Sequence, residues 1–270
     1  MPIHPTAIVD KLAEIHPSAE IGPYVIVDGP VKLAAHVKVY PFAYLAGWTE
    51  IGERCEIHPH AVVGHLPQDF HFEGHRSFCR IGAGTIIREG VSIHRGTQPD
   101  SWTLVGEDCF LLAGAHVGHN CDVGNNVRLI NNSALGGHVS LGDNVIIAGS
   151  QVHQFVRIGE FTIVGPGIVV IKDVAPFMKA WDDCVVVSYN GLGLKRSGLF
   201  SREDVNEARK AYKMLFRERR PMSRKIEEYA AVAQGKVGAR ILEFVRGESR
   251  MGLAPGRWNA PKNAADSAEE

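Results

Sequence analysis

The chain has 270 residues, of which 45% are hydrophobic and 22% are charged, and its formal net charge at pH 7 is −1. This balance disfavours a nucleic-acid-binding protein that acts through bulk positive charge. No segment reaches the length of about 18 apolar residues that a membrane span needs, and the N-terminus lacks the apolar region of a secretory signal. Since the five cysteines include no Cys-x-x-Cys pair, we expect free thiols and a cytoplasmic protein without a membrane span.

A six-residue repeat runs through most of the chain. Aliphatic residues recur at every sixth position over 3–63, 81–93 and 105–147 and, after a one-residue slip, over 158–170. Glycine often follows the aliphatic residue, and a small or β-branched residue stands four positions after it. An amphipathic helix repeats every 3.6 residues and a strand every two, whereas a period of six is typical of a parallel β-helix. We therefore predict an all-β parallel β-helix over residues 1–175, with three hexads in each coil.

The repeat is interrupted twice, over residues 64–80 and 97–104. The aliphatic positions return in the same phase after both interruptions, so these segments are predicted to leave the β-helix as loops without disturbing its register. Long excursions from a compact repeat are usually binding or interface segments.

The pattern changes to helical spacing after about residue 176. Ser201 is predicted to cap a helix that Pro221 ends, and two further helices are expected before residue 250. Residues 194–250 contain 15 Lys or Arg against 8 Asp or Glu, which indicates either solvated helix faces or a docking surface for an acidic partner. We expect a connecting segment and a smaller α-helical domain over 176–250, followed by a disordered tail over 251–270.

Four of the 13 histidines, His116, His119, His138 and His153, are predicted to gather along one edge of the β-helix. Because three hexads complete one coil, His119 is expected beside Gly137 on the next coil. An imidazole can act as a general base near neutral pH, and the N–H of a bare glycine can stabilise an oxyanion. The pair suggests acyl transfer without a covalent intermediate; a stacked polar ladder at an interface between copies is the second interpretation.

Several motifs resemble those of the UDP-N-acetylglucosamine acyltransferases, hexapeptide-repeat enzymes that open lipid A synthesis in Gram-negative bacteria. They are Ile-His-Arg-Gly-Thr (93–97), Ala-His-Val-Gly-His-Asn-Cys (115–121), Gly-Gly-His-Val-Ser (136–140), Val-His-Gln-Phe (152–155) and Gly-Leu-Lys-Arg (193–196). The resemblance spans nearly the whole chain. It implies a left-handed β-helix, a homotrimer with active sites between adjacent subunits, and transfer of an (R)-3-hydroxyacyl group from acyl carrier protein to the 3-hydroxyl of UDP-N-acetylglucosamine.

The resemblance also implies roles for individual residues, with no cofactor and no metal. His119 matches the family's general base, Gly137 its oxyanion donor, and Asp69 a loop residue that bears on the sugar and the catalytic imidazole. Contacts to the nucleotide sugar and the acyl chain are implied for His116, His138, His153 and Gln154, and nucleotide contacts for Asn190 and Arg196. Pro166 falls near the position that limits acyl length, so we expect a chain shorter than the longest that the family uses.

Three positions depart from the family pattern. Phe70-His71-Phe72 stands where Leu-Lys-Tyr is usual, Leu192 where an acid is common, and Ser197 where a second Arg is usual. His71 would therefore place a titratable cation at a substrate-binding position, which leaves nucleotide affinity and acceptor identity open.

Three alternatives remain from the sequence. The first is the same scaffold acting on a UDP-3-amino sugar. The second is a zinc enzyme resembling the β-helical carbonic anhydrases, with His116, His119 and His138 as ligands. The third is a β-helix that serves as a scaffold and has no catalytic activity.

Overall fold

The computed structural model describes residues 3–257, and most of this chain forms a prism with three β-sheet faces. Strands are numbered in chain order, and every third strand through β25 joins the same face. The first face contains β1 (Ile8–Val9), β4 (Ile26–Asp28), β7 (Tyr44–Ala46), β10 (Val62–His65), β13 (Ser92–His94), β16 (His116–Val117), β19 (Ala134–Leu135), β22 (Gln151–Val152) and β25 (Val169–Val170).

The other two faces have the same parallel arrangement. The second face contains β2 (Glu14–Ile15), β5 (Lys32–Leu33), β8 (Trp48–Ile51), β11 (Phe78–Ile81), β14 (Trp102–Val105), β17 (Asp122–Val123), β20 (Ser140–Leu141) and β23 (Arg157–Ile158). The third face contains β3 (Glu20–Ile21), β6 (Lys38–Val39), β9 (Glu56–Ile57), β12 (Ile86–Ile87), β15 (Phe110–Leu111), β18 (Arg128–Leu129), β21 (Ile146–Ile147), β24 (Ile163–Val164), β26 (Met178–Trp181) and β27 (Val185–Tyr189).

The core of the prism is a stack of the repeated aliphatic residues. Leu111 lies in register with Leu129, and Leu129 with Ile147, so neighbouring coils place like residues on top of one another. All three side chains are fully buried, and each such burial stabilises the fold by about 1.5–3 kcal/mol. The predicted parallel β-helix is confirmed, and all five cysteines are buried and unpaired.

The one-residue slip in the sequence has a local structural cause. Arg128 pairs with Ile146, exactly three hexads later in the chain, whereas Ala134 pairs with Gln151, one position short of three hexads. The turn between β21 and β22 spans only 148–150, so it is one position shorter than the other turns in that column. The coil is therefore shortened at a turn, and the inward-facing positions are preserved.

Both interruptions of the repeat leave the prism from one edge, where the chain passes from the first face to the second. We call this the first edge; it includes the turns at 118–121, 136–139 and 153–156. The excursions occupy 66–77 and 95–101, whereas the predicted segments were 64–80 and 97–104. The first excursion begins two residues later than predicted and the second begins two residues earlier. Both excursions end three residues before the predicted end. The reason is that β11 and β14 form before the hexads resume, with Phe78 in register with Trp102.

The chain after the prism forms a short hairpin and four helices. Strands β26 and β27 pair antiparallel at the end of the third face. The helices are α1 (Gly191–Ser197), α2 (Arg202–Phe216), α3 (Met222–Ala230) and α4 (Gly235–Arg246). The predicted cap is confirmed, since the Ser201 hydroxyl accepts from the Asp204 N–H and the Asp204 carboxylate accepts from the Ser201 N–H. The sequence prediction included neither the hairpin nor α1.

The prediction of disorder from residue 251 is wrong for residues 251–257. Leu253 forms a β-bridge with Asp173, Gly256 forms another with Val186, and Ala254 is fully buried. The segment is ordered because its main-chain groups pair with the end of the prism, which its composition does not reveal. The remainder of that prediction, 258–270, lies outside the described residues. Within residues 3–257, no helix has the length and apolarity needed to cross a membrane.

Candidate active site

A cleft of about 460 Å³ opens at the first edge of the prism. Its walls come from five successive coils, those of β13, β16, β19, β22 and β25, and from the excursion at 66–77, which contributes Gln68. The polar lining residues are Gln68, His94, His116, His119, Gln151, His153 and Gln154, beside the backbone of Gly136 and Gly137. The predicted gathering of histidines is therefore observed for His116, His119 and His153 in one cleft.

The hydrogen bonds of Asn120 define the tautomer of His119. The Asn120 Oδ1 atom accepts from the main-chain N–H of Thr97 at 3.0 Å and from the Thr97 hydroxyl at 2.9 Å. The same oxygen lies 3.0 Å from His119 Nδ1. Since Oδ1 can only accept, Nδ1 must carry the proton in the neutral ring, and Nε2 then holds the free lone pair. The arrangement leaves a basic nitrogen available to a ligand.

Gly137 lies directly against the His119 ring. A Cβ atom added at Gly137 would stand 2.4 Å from both Cε1 and Nε2 of His119, so only glycine permits this approach. The two coils are also joined by a hydrogen bond of 2.9 Å from the His138 N–H to the His119 carbonyl. Within residues 3–257, no acceptor pairs with the Gly137 N–H. The predicted base and amide are therefore neighbours, and both have a free hydrogen-bonding position.

Two histidines near His119, His94 and His116, have lowered pKa values. Burial, and then proximity to His116, His65 and His119, lowers the pKa of His94 to about 4. Burial lowers the pKa of His116, with a further contribution from His119. The His116 Nδ1 atom also lies 2.8 Å from the Ser92 hydroxyl. His94 and His116 therefore add no positive charge beside His119 at physiological pH.

His138 packs against His119 from outside the cleft lining. Its ring meets the His119 ring edge to face at 5.3 Å and stacks on Phe155 at 4.9 Å. The Arg250 guanidinium lies over the Phe155 ring, 4.5 Å from its centre. Burial, followed by the charges of His119 and Arg250, lowers the pKa of His138. The structure therefore places His138 where it supports the His119 ring.

Asp69 supplies negative charge beside this group. Its Oδ1 atom accepts from the main-chain N–H of His71 at 2.9 Å and lies 3.1 Å from the His71 ring nitrogen. These hydrogen bonds, with smaller effects of the His119 and His71 charges, lower the pKa of Asp69. The His71 ring is 92% exposed. An ionised carboxylate is thus held within electrostatic reach of His119.

Three of the predicted residues lie elsewhere in the chain. Asn190 and Arg196 line a second cleft of about 360 Å³ that shares no residue with the first. The buried Asn190 side chain accepts from the Gly193 N–H and donates to the Phe161 carbonyl, so it caps α1. Pro166 lies on an exposed turn between β24 and β25 and does not line the first cleft. One chain alone does not bring these residues to His119.

The sequence prediction missed two residues of the site. Asn120 orients His119. In the sequence it could have been found by its position directly after the candidate base, and in the structure it adopts a φ of 57° in that turn. His94 is 5% exposed and lines the cleft, and its Nδ1 atom has no hydrogen-bond partner in the described part of the chain. Its signal is its place at the end of a hexad strand, β13, which pairs with the strand that carries His116.

The zinc alternative needs a group of side chains that could hold the ion. Among residues 3–257, no three His, Cys, Asp or Glu side chains are placed to hold one. A zinc ion shared between copies would draw ligands from two chains, so the zinc alternative remains a prediction.

The fold and the site define a hexapeptide-repeat transferase, and comparisons with known proteins agree. Residues 30–65 match the model described as bacterial transferase hexapeptide (six repeats). Residues 173–254 match the second domain of UDP N-acetylglucosamine O-acyltransferase. The chain is 37% identical over 258 residues to an acyl-[acyl-carrier-protein]–UDP-N-acetylglucosamine O-acyltransferase of Thermodesulfovibrio yellowstonii, covering 92% of this chain and 97% of that relative.

Solved structures show the same relationship. LpxA from Acinetobacter baumannii superposes with a TM-score of 0.89 at 31% identity, covering 94% of this chain and 100% of that one. A UDP-N-acetylglucosamine acyltransferase from Arabidopsis superposes with a TM-score of 0.82 at 31% identity, covering 93% and 99%. The chain therefore belongs to the UDP-N-acetylglucosamine O-acyltransferase family and is an acyltransferase. The hexad repeats and parallel faces fit the left-handed β-helix that the resemblance implied.

Proposed function

We propose that this protein transfers an (R)-3-hydroxyacyl group from acyl carrier protein to the 3-hydroxyl of UDP-N-acetylglucosamine, the first step of lipid A synthesis. The observation that carries the proposal is the contact of the His119 imidazole with Gly137, whose N–H is free. The names of the relatives supply the donor and acceptor classes, and the cleft supplies groups that suit their reaction.

The reaction needs one base and one oxyanion donor. The His119 Nε2 atom removes the proton of the sugar hydroxyl while the oxygen attacks the thioester carbonyl. The carbonyl oxygen becomes an oxyanion, which the Gly137 N–H stabilises. As the tetrahedral intermediate collapses, the new C–O ester bond remains and the C–S bond breaks. The imidazolium returns its proton to the departing thiolate, so His119 ends as it began.

The charges around His119 favour this cycle. His94, His116 and His138 have lowered pKa values and stay neutral, so they do not repel the positive charge that His119 gains. The ionised Asp69 attracts that charge. Asn120 and Thr97 hold the ring through its Nδ1 atom. No cofactor is needed for any step.

The donor's carrier protein is proposed to dock on the helical domain. The excess of basic residues over 194–250 provides an attractive surface for an acidic partner. Arg250 stands at the C-terminal end of that stretch, beside Phe155 and His138 of the first edge. The basic surface thus continues towards the cleft.

The active enzyme is proposed to be a homotrimer. The residues matched to nucleotide contacts, Asn190 and Arg196, lie in the second cleft, so a site that uses them with His119 needs a second copy. Some side chains that point outward from the first face are apolar. In its N-terminal coils, Ile8 and Ile26 are exposed in the single chain. A neighbouring subunit would cover them.

Mixed trimers test the shared site. Chains carrying His119→Ala and chains carrying Arg196→Ala are each expected to be impaired alone. Unfolded and refolded together, they should regain activity, because some sites would combine an intact His119 with an intact Arg196. Mixtures no more active than the sum of the two variants, or a mass of one 29.5 kDa chain, would contradict the shared site.

Product analysis tests the reaction itself. Purified protein is incubated with hydroxyacyl thioesters of acyl carrier protein over a series of chain lengths and with UDP-N-acetylglucosamine or its 3-amino analogue. We expect an ester at the 3-position of the hydroxyl sugar and the fastest transfer with a chain below the longest tested, as Pro166 predicts. Amide formation on the amino sugar alone would establish that alternative, and stoichiometric zinc in the purified protein would favour the carbonic-anhydrase-like one.

A further inference from the structure

Arg95 is a buried cation without a counter-ion among residues 3–257. It is 7% exposed, and its Nε atom has no hydrogen-bond partner in the described part of the chain. No carboxylate within residues 3–257 forms an ion pair with it. Burial lowers the pKa of its guanidinium. Taking a cation out of water without pairing it is costly, so the contacts that Arg95 does make need an explanation.

The Arg95 guanidinium contacts two aromatic rings from different parts of the chain. The guanidinium carbon lies 5.4 Å from the ring centre of Trp48 in β8 and 5.6 Å from that of Phe72 in the 66–77 excursion. Both distances are within the range of cation–π attraction, which is strongest for desolvated cations. Gly47 makes room for the group, since a Cβ there would stand 2.3 Å from Nη1 of Arg95. We call this arrangement the Arg95 clamp.

The clamp holds the turn that carries Asp69. The Phe72 N–H donates to the Asp69 carbonyl at 3.1 Å, and the Asp69 carboxylate accepts from His71. Between them, Phe70 is 107% exposed and the His71 ring points into solvent. Asp69 and Phe72 are the partly buried residues of this turn, and Phe72 is the one whose ring stacks against Arg95. Arg95 also stacks against Trp48 of β8, so these contacts connect the turn to the prism.

We propose that Arg95 is a positioning residue, which holds Asp69 near His119 by stacking between Trp48 and Phe72. Its kinetic consequence rests on the proposed function, because Asp69 matters only if the sugar and His119 react there. The clamp itself is independent of the reaction. Arg95 acts through Phe72 and needs no contact with the substrate.

Two variants break the clamp from opposite sides, and one matched variant serves as the control. Arg95→Met removes the cation and keeps an unbranched side chain, and Phe72→Leu removes the ring, whereas Phe72→Tyr keeps it. Arg80→Met removes another guanidinium that lies 4.4 Å from a tryptophan ring, that of Trp102, but on the second face and paired with Glu50. This control should leave both loop and activity unchanged.

The first measurement does not depend on activity. Cleavage after Glu73, an exposed residue of the excursion, is followed with a glutamate-specific protease on the folded protein. We expect about tenfold faster cleavage in Arg95→Met and Phe72→Leu, because loosening the clamp raises the open population, and wild-type rates in Phe72→Tyr and Arg80→Met. The double variant should match the single ones. Wild-type cleavage in Arg95→Met would overturn the proposal.

The second measurement is the split between KM and kcat. Both disruptive variants should raise KM for the nucleotide sugar about tenfold and lower kcat by a smaller factor, since the released Asp69 no longer binds the sugar and no longer attracts the charge that His119 gains. A loss of kcat with unchanged KM, or a fall in melting temperature large enough to account for the loss, would contradict a positioning role. If the wild type transfers no acyl group to the sugar, the proposed function fails, and the cleavage rates still decide the clamp.

Discussion

Two edges of the same prism have the same repeat and different chemistry. On the second edge, where the chain passes from the second face to the third, polar side chains satisfy the turns of neighbouring coils. Asn125 Oδ1 accepts from the Glu107 N–H at 2.8 Å, and Asp143 Oδ1 accepts from the Asn125 N–H at 2.7 Å. Asn126 Nδ2 likewise donates to Asn144 Oδ1. This edge is a polar ladder with its hydrogen bonds satisfied internally.

On the first edge, the Gly137 N–H and the His119 Nε2 atom have no hydrogen-bond partner among the described residues. Gly137 follows Gly136 in its turn, as Asn125 follows Gly124 in the turn of the second edge. Among residues 3–257, no side chain accepts from the Gly137 N–H. His119 Nε2 also has no hydrogen-bond partner within residues 3–257. The ladder of the second edge therefore has no counterpart at Gly137 and His119. The β-helix offers similar amides at both edges, and a reactive site arises where the sequence omits the cap.

The largest expected effect is that of His119→Ala. Loss of the base should lower kcat by about a thousandfold, with little change in stability because the side chain is only partly buried. Asn125→Ala is the matched change on the second edge; it should cost about 1 kcal/mol of stability and leave kcat unchanged. Steady-state kinetics and urea unfolding measure the two. Equal losses of activity in both variants would show that the edges do not differ.

Gly137→Ala should have the next largest effect. Its Cβ would overlap the His119 ring, and displacing a catalytic group by about 1 Å can cost about a hundredfold in rate. In Gly124→Ala, on the second edge, the Cβ would stand 2.8 Å from the Asp143 main-chain nitrogen, so we expect lost stability with residual activity per folded molecule. A fully active Gly137→Ala enzyme would exclude the proposed contact.

The repeat made part of this site predictable and left part of it hidden. A coil of three hexads was enough to place His119 beside Gly137, because spacing alone fixes which residues lie on adjacent coils. Spacing does not report whether an amide is capped. The link from Thr97 to Asn120 was also hidden, because it joins an excursion to a turn of the next coil.

Composition was misleading at the end of the chain. The segment from residue 251 looked disordered, yet residues 251–257 pair with main-chain groups of Asp173 and Val186. Main-chain hydrogen bonds of this kind depend little on residue type. For Asn190, the resemblance indicated a nucleotide contact, and the single chain shows its side chain capping α1. The sequence could not distinguish these roles because capping and ligand binding use the same amide atoms.

His94 should make stability depend on pH. Its pKa in the folded protein is about 4 against an ordinary value of 6.5, so the unfolded chain binds the proton more tightly. The free energy of unfolding should therefore be unaffected above pH 6.5 and fall as the pH drops towards 4. Between pH 7 and pH 5 the loss should be about 2 kcal/mol.

His94→Gln tests this assignment, with urea unfolding followed at both pH values and at one protein concentration. The variant should lose most of the pH dependence, and His116 and His138, whose pKa values are also lowered, should supply the remainder. An unchanged slope would mean that His94 is not buried as a neutral ring in the assembled protein.

A pair of asparagines compares the two edges more finely. Asn120 on the first edge and Asn126 on the second have φ values of 57° and 54°, and glycine adopts both without strain. Asn120→Gly should lower kcat about tenfold, because His119 loses the acceptor that fixes its tautomer. Asn126 lines the second cleft beside Asn190 and Arg196, so Asn126→Gly should change KM for the nucleotide sugar and leave kcat near the wild-type value. If the two variants have the same kcat, the Thr97–Asn120 link does not orient the base.

The smallest expected effect is that of His71→Ala, although the resemblance places this residue at a substrate contact. The main-chain N–H of His71 is its closest donor to Asp69, and alanine retains that group. The ring is largely in solvent and adds a second, longer contact, and exposed contacts of this kind contribute little. We therefore expect KM for the nucleotide sugar to rise by no more than about threefold. A tenfold rise in KM, with cleavage after Glu73 unchanged, would instead place the His71 ring on the nucleotide itself.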